Sequence, residues 1–151
     1  MAGGKSNSAT AQRSTVGGGS NNTTSGSKAT VSGGENNTAS NSESTVSGGQ
    51  SNTASGLRSF VGGGNGNAAS AGRATVSGGE NNTASAIRAT VSGGQDNTAS
   101  SDYSTVSGGQ NNTASSGTHA TVSGGLNNTA SNNRATVSLS LIHISEPTRP
   151  Y

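Results

Sequence analysis

Valine returns along this chain at Val16, Val31, Val46, Val61, Val76, Val91, Val106, Val122 and Val137, with fifteen residues between successive copies except for one interval of sixteen. Around each Val the chain alternates. In Ala74-Thr75-Val76-Ser77-Gly78, period two puts Ala, Val and Gly on one face and Thr and Ser on the other. A second segment, Asn82-Thr83-Ala84-Ser85, alternates likewise, with Asn and Ala inward. A Gly pair separates the two segments on one side and three variable residues separate them on the other, and both linkers read as turns. A fixed period of this size, with two short strands and two turns per copy, predicts an all-β parallel β-roll or β-solenoid of ~15-residue coils. Nine coils at ~4.8 Å each make a rod about 40 Å long.

Composition alone points elsewhere. Only 25% of residues are hydrophobic and 2% aromatic, and Cys is absent, a profile that ordinarily means disorder. The phase of the few apolar residues argues against that, because eight of nine copies begin with Val and eight of nine carry Ala at the ninth position. One Val per coil nevertheless buries little area against the backbone entropy of ordering the repeat. Several chains are therefore expected to interlock, sharing their Val, Ala and Gly faces.

Asn fills the seventh position of every copy: Asn7, Asn22, Asn37, Asn52, Asn67, Asn82, Asn97, Asn112 and Asn128. Stacked side-chain amides can donate to the copy above and accept from the copy below, so a buried structural ladder is expected rather than a polar ligand groove. Gly occupies the third and fourth positions throughout, from Gly3 and Gly4 to Gly124 and Gly125. No helix start or Lys follows to make a phosphate loop, so these pairs are expected to supply positive φ and close backbone approach.

The formal charge is +2, which selects neither nucleic acid nor membrane as a partner, and no apolar run is long enough to span a bilayer. Charge becomes informative by position. Arg13, Lys28, Arg58, Arg73, Arg88 and Arg134 share the thirteenth column with Glu43, Tyr103 and His119. This stripe could meet an anionic glycan, a matrix polymer or nucleic-acid phosphates, although a solvated edge that discourages aggregation is the simpler expectation. Scarce aromatics argue against sequence-specific nucleic-acid recognition. Thr15, Thr30, Thr45, Thr75, Thr90, Thr105, Thr121 and Thr136 form an outward column, interrupted by Phe60, of the kind an ice-binding solenoid would present. His119 and His143 stand alone and the acids Glu35, Glu43, Glu80, Asp96 and Asp102 are dispersed. No catalytic, metal or cofactor site is expected, and the chain reads as a non-enzyme. His119 lies beside the extra residue and is expected on a bulged loop tip.

The string ATVSGGENNTAS resembles the head repeats of trimeric autotransporter adhesins, the YadA-like heads, and similar repeats of bacterial and phage fibres. Val76 matches the Val of that motif, Ser77 its small residue, Gly79 its Gly and Ala84 its later Ala. The copy here is one residue longer, and Gly78 stands where the family usually has Ile or Leu. The resemblance covers residues 1–138 and implies a left-handed β-roll assembled as a trimer. It implies a fragment of an adhesin head, extracellular on the bacterial surface and anchored through regions outside this chain. A virion tail-fibre shaft is the alternative it leaves open.

Both chain ends read as truncations. Met1 sits in the Val slot and in phase, as a GTG codon taken for a start would. From Leu139 to Arg149 the chain resembles a translated sequencing-library adapter, so residues 139–151 are expected to be an artefactual tail in which His143 and Glu146 have no role.

Overall fold

The computed structural model describes residues 3–138; the expected tail lies outside these residues. Among the described residues eighteen two-residue strands occur, two per coil, from Ser8–Ala9 and Thr15–Val16 in the first coil to Thr129–Ala130 and Thr136–Val137 in the last. They form two nine-stranded parallel sheets in which each strand pairs with its equivalents in adjacent coils. Thr83 pairs with Thr98 and Ala84 with Ala99 in one sheet, and Thr75 pairs with Thr90 and Val76 with Val91 in the other. The fold is thus an all-strand parallel β-solenoid. Its strands are shorter than the five-residue alternation suggested, because the Gly pair that follows bends the chain, as at Gly78 and Gly79.

The space between the sheets is narrow and filled by four side chains per coil. In the sixth copy these are Val76, Asn82, Ala84 and Ala89, each 0% exposed. Val and Thr favour the pleated conformation, and small Ala at the ninth position, replaced once by Thr24, with Ala or Ser at the fourteenth leaves room for the Val opposite. All Val from Val16 to Val122 are buried within one chain, and Val137 is half-buried in the last coil. This corrects the expectation that Val and Ala faces are shared between chains. Ala, Asn and the backbone close the core around each Val, so the count of Val residues alone underestimated what a single coil covers.

Two turns close opposite sides of the coil. At the fifth position a third line of parallel bridges runs from Lys5 through Ser20, Glu35 and Gln50 to Leu126. The residue after it adopts left-handed backbone, as at Asn21 (φ 56°) and Asn36 (φ 56°), a conformation Asn tolerates. Its N–H consequently points backwards, so Asn36 donates to the Ser20 carbonyl of the preceding coil at 2.9 Å. On the other side the fourteenth N–H bonds the eleventh carbonyl, as Ala89 does to Ala86 at 3.1 Å. There the thirteenth residue is left-handed in every copy, from Arg13 (φ 59°) to Arg134 (φ 56°).

The two Gly of each pair differ. A Cβ on Gly79 (φ +90°) would run into the Gly94 carbonyl oxygen, whereas one on Gly78 would meet nothing. Only the fourth position therefore requires Gly for close approach. Gly78 is half-exposed, outside the core, so the departure from the family's Ile or Leu leaves no hole there.

The extra residue falls at Ser116–Gly117, both with positive φ (67° and 69°). Register recovers at once. Asp102 bridges Thr118 and Thr105 pairs with Thr121. His119 is correspondingly not on the bulge. Its N–H bonds the Asp102 carbonyl at 2.9 Å, which keeps it in the thirteenth column.

Candidate functional site

The Asn column is continuous, but it is bonded differently from the expected stack of amides. Asn82 Nδ2 donates to the Gly78 carbonyl in its own coil at 2.9 Å and to the Gly94 carbonyl of the next at 2.8 Å. Its Oδ1 accepts the backbone N–H of Asn97 at 3.0 Å. Within this column no side-chain amide bonds another. From Asn7 to Asn112 each Asn fastens its Gly-Gly turn to the following coil and satisfies a backbone N–H that the left-handed residue before it has turned away from the ladder. The pattern persists across the insertion, where Asn128 N–H bonds Asn112 Oδ1 at 2.9 Å. Buried amides with all these bonds made are structural groups, with nothing left to offer a ligand.

Charge is sorted by side. Among the described residues, Lys5, Glu35, Glu80 and Asp96 lie at the fifth and sixth positions, and every other charged side chain lies at the twelfth or thirteenth. The two turns thus form an edge with three acids and one base and an opposite edge with six bases and two acids, Glu43 and Asp102. The sheets between them present no charge. The basic column was legible in the sequence; the acidic edge was missed, although its signal was present in the same alignment of copies.

The basic edge is not uniform. Glu43 accepts from Arg58 Nε at 2.9 Å and approaches Lys28 Nζ at 3.6 Å. The hydrogen bond and charge of Arg58, reinforced by Lys28, hold the Glu43 carboxyl below the usual carboxylate range. Further along, the Arg88 guanidinium lies 5.1 Å from the Tyr103 ring centroid and donates to the Tyr103 hydroxyl at 2.6 Å. Tyr103 and His119 stack with centroids 4.8 Å apart and 6° between planes. Coil spacing brings these rings together across sixteen residues of sequence, a contact that sequence reading did not foresee. Asp102 is turned onto the backbone, accepting the Ile87 N–H at 3.0 Å. Arg73 has neither of these arrangements around it, and Arg134 closes the column beyond His119.

The uncharged faces carry hydroxyls. The expected Thr column of the Val-containing sheet is broken by Phe60, which is 37% exposed. On the other sheet Thr23, Thr38, Thr53, Thr83, Thr98, Thr113 and Thr129 recur with only Ala68 intervening. Ser stands two residues beyond each of these Thr, as Ser85 follows Thr83. This second array was less prominent in the sequence because its copies lack an adjacent Val to mark them.

Among the described residues no three His, Cys, Asp or Glu side chains gather where a metal ion could be held, and no helix is long and apolar enough to cross a membrane. Compared with known families and with curated proteins, the chain matches neither a family model nor a sequence.

Proposed function

We propose that the chain is a rigid, adhesive module of a surface fibre, a piece of a trimeric adhesin head that projects from a bacterial cell and holds host or environmental surfaces. The observation that carries this reading is the unbroken register of nine coils, recovered immediately after the insertion at Ser116–Gly117. Such a stack fixes length and direction while confining chemical variety to two edges. Turn residues can change without disturbing the ladder, which suits a fibre whose binding surface varies on a constant scaffold. The likeness of ATVSGGENNTAS to adhesin-head repeats supports the same conclusion and supplies the trimer. Since each core closes within one chain, copies in a trimer would meet through hydroxylated faces or charged edges. Light scattering and far-UV circular dichroism on the full chain test this reading. A β-rich trimer supports it, a β-rich monomer removes the trimeric assembly, and a disordered chain removes the rod.

A second reading has its own observation. The Thr and Ser rows on the sheet without Phe60 form a charge-free, nearly uninterrupted hydroxyl array, the surface an ice-binding solenoid needs. Inhibition of ice recrystallisation by the chain, lost on replacing Thr83 and Thr98 with Lys, would favour it over adhesion.

A further inference from the structure

We propose that the basic edge is a docking site for a linear acidic polysaccharide, centred on Arg73 and Arg88, and that Glu43 restricts the site by occupying Lys28 and Arg58. This deepens the adhesive reading and rests on it.

The side chains project from left-handed residues at the crest of one turn and repeat once per coil. The result is a row, cationic at six of nine levels, with ~4.8 Å between successive coils. A carboxylated pyranose chain in extended form advances by nearly the same length per sugar, so the carboxylates on one side of it recur at small multiples of the coil spacing. Guanidinium groups pair well with carboxylates because their planar fork offers two parallel donors. The faces on either side of the edge carry Thr and Ser hydroxyls able to bond sugar hydroxyls. Nucleic acid fits less well. Base stacking requires open aromatic faces, whereas Tyr103 lies between the Arg88 guanidinium and the His119 ring.

Glu43 sets where the row begins. Its carboxylate already accepts from Arg58 and lies 3.6 Å from Lys28, so two of the six cations are partly neutralised before a ligand arrives. Arg13 is thereby separated from the rest. Asp102 adds a carboxylate beside Tyr103, leaving Arg73 and Arg88, among the described residues, as the adjacent pair of cations in which neither member is paired with Glu43.

The test is binding of the full chain to polygalacturonate as a function of salt, with single-stranded DNA of matched charge as the comparison. Binding to polygalacturonate that weakens with salt is expected, with the salt slope reduced by about two in Arg73→Gln/Arg88→Gln. Glu43→Gln is expected to tighten binding and steepen the slope, a gain that misfolding cannot produce. Unchanged binding in the double Arg variant, or an unchanged slope in Glu43→Gln, overturns the assignment, as does preferential binding of DNA. Light scattering and circular dichroism on the same samples separate the two levels. A β-rich rod that does not bind polygalacturonate overturns this docking site alone, whereas a chain without β signal overturns the fibre reading on which it rests.

Discussion

Replacing Asn82 with Ala removes three hydrogen bonds at one point of the stack: those to the Gly78 and Gly94 carbonyls and the one accepted from Asn97 N–H. The losses are unequal. Gly94 O still accepts from Glu80 N–H at 2.9 Å, and half-exposed Gly78 can turn to water. The Asn97 N–H, in a residue that is 0% exposed, is left without a partner. An orphaned buried donor costs about 1–3 kcal/mol and each of the other bonds about 1 kcal/mol, so the variant should lose about 3–5 kcal/mol. At this chain length that lowers Tm by roughly 6–20 °C. Asn82→Asp distinguishes lost bonds from lost volume. It keeps an acceptor for Asn97 but turns a carboxylate oxygen towards two carbonyls, so its folded-state pKa rises above the unfolded value of about 3.9. A raised carboxyl pKa destabilises the fold once pH exceeds the unfolded value. The deficit relative to the parent chain should therefore be small below about pH 4 and grow as pH rises. Thermal melts by circular dichroism across pH read both effects. An Asn82→Ala melt within about 2 °C of the parent, together with a pH-independent deficit for Asn82→Asp, would refute a buried, backbone-bonded ladder.

Gly79→Ala should destabilise the chain by more than about 3 kcal/mol or prevent folding, because it combines left-handed strain with collision against the Gly94 carbonyl. Gly78→Ala should stay within about 1 kcal/mol; equal melting of the two variants would show that the two positions are equivalent. The Glu43 carboxyl should titrate below ordinary exposed glutamates by NMR and move upward in Arg58→Gln. Any stability it contributes is present above its unfolded pKa and fades as pH falls through the depressed folded value. Deleting Ser116 restores a fifteen-residue coil with Gly117 at the eleventh position, where Gly26 and Gly56 already occur, and should melt no lower than the parent. A drop of more than about 5 °C would mean that the insertion supports the stack.

The period, the inward Val and Ala and the buried Asn were all readable from residues, because a stack of equal coils converts sequence phase directly into spatial columns. Which atoms the Asn amides bond was not readable. That depends on the direction of the Gly78 and Gly94 carbonyls, which is set by backbone torsions and not by residue type. The left-handed sixth position carried a signal in Asn21, Asn36, Gly66 and Asp96, all residues that tolerate it. The left-handed thirteenth position, filled mostly by Arg, carried none, since the turn geometry there overrides preference. Of the candidate edge, the basic column was visible, but its division at Glu43 and the Arg88-Tyr103-His119 stack arise from contacts fifteen or sixteen residues apart that only the coil rise makes. The acidic edge could have been found by tabulating the fifth and sixth positions as the thirteenth was tabulated.

The direction of the Asn fastening bears on how the rod behaves under load. Each Asn spans from its own Gly-Gly turn to the next coil, so tension along the axis pulls on the same amide bonds at every level. A coil that gives way releases fifteen residues, from ~4.8 Å of rod to about 50 Å of extended chain. Because the levels are nearly identical, they yield at similar force, one after another. Each coil that opens lengthens about tenfold while the remaining coils stay folded, so a sudden pull is taken up as a series of small ruptures.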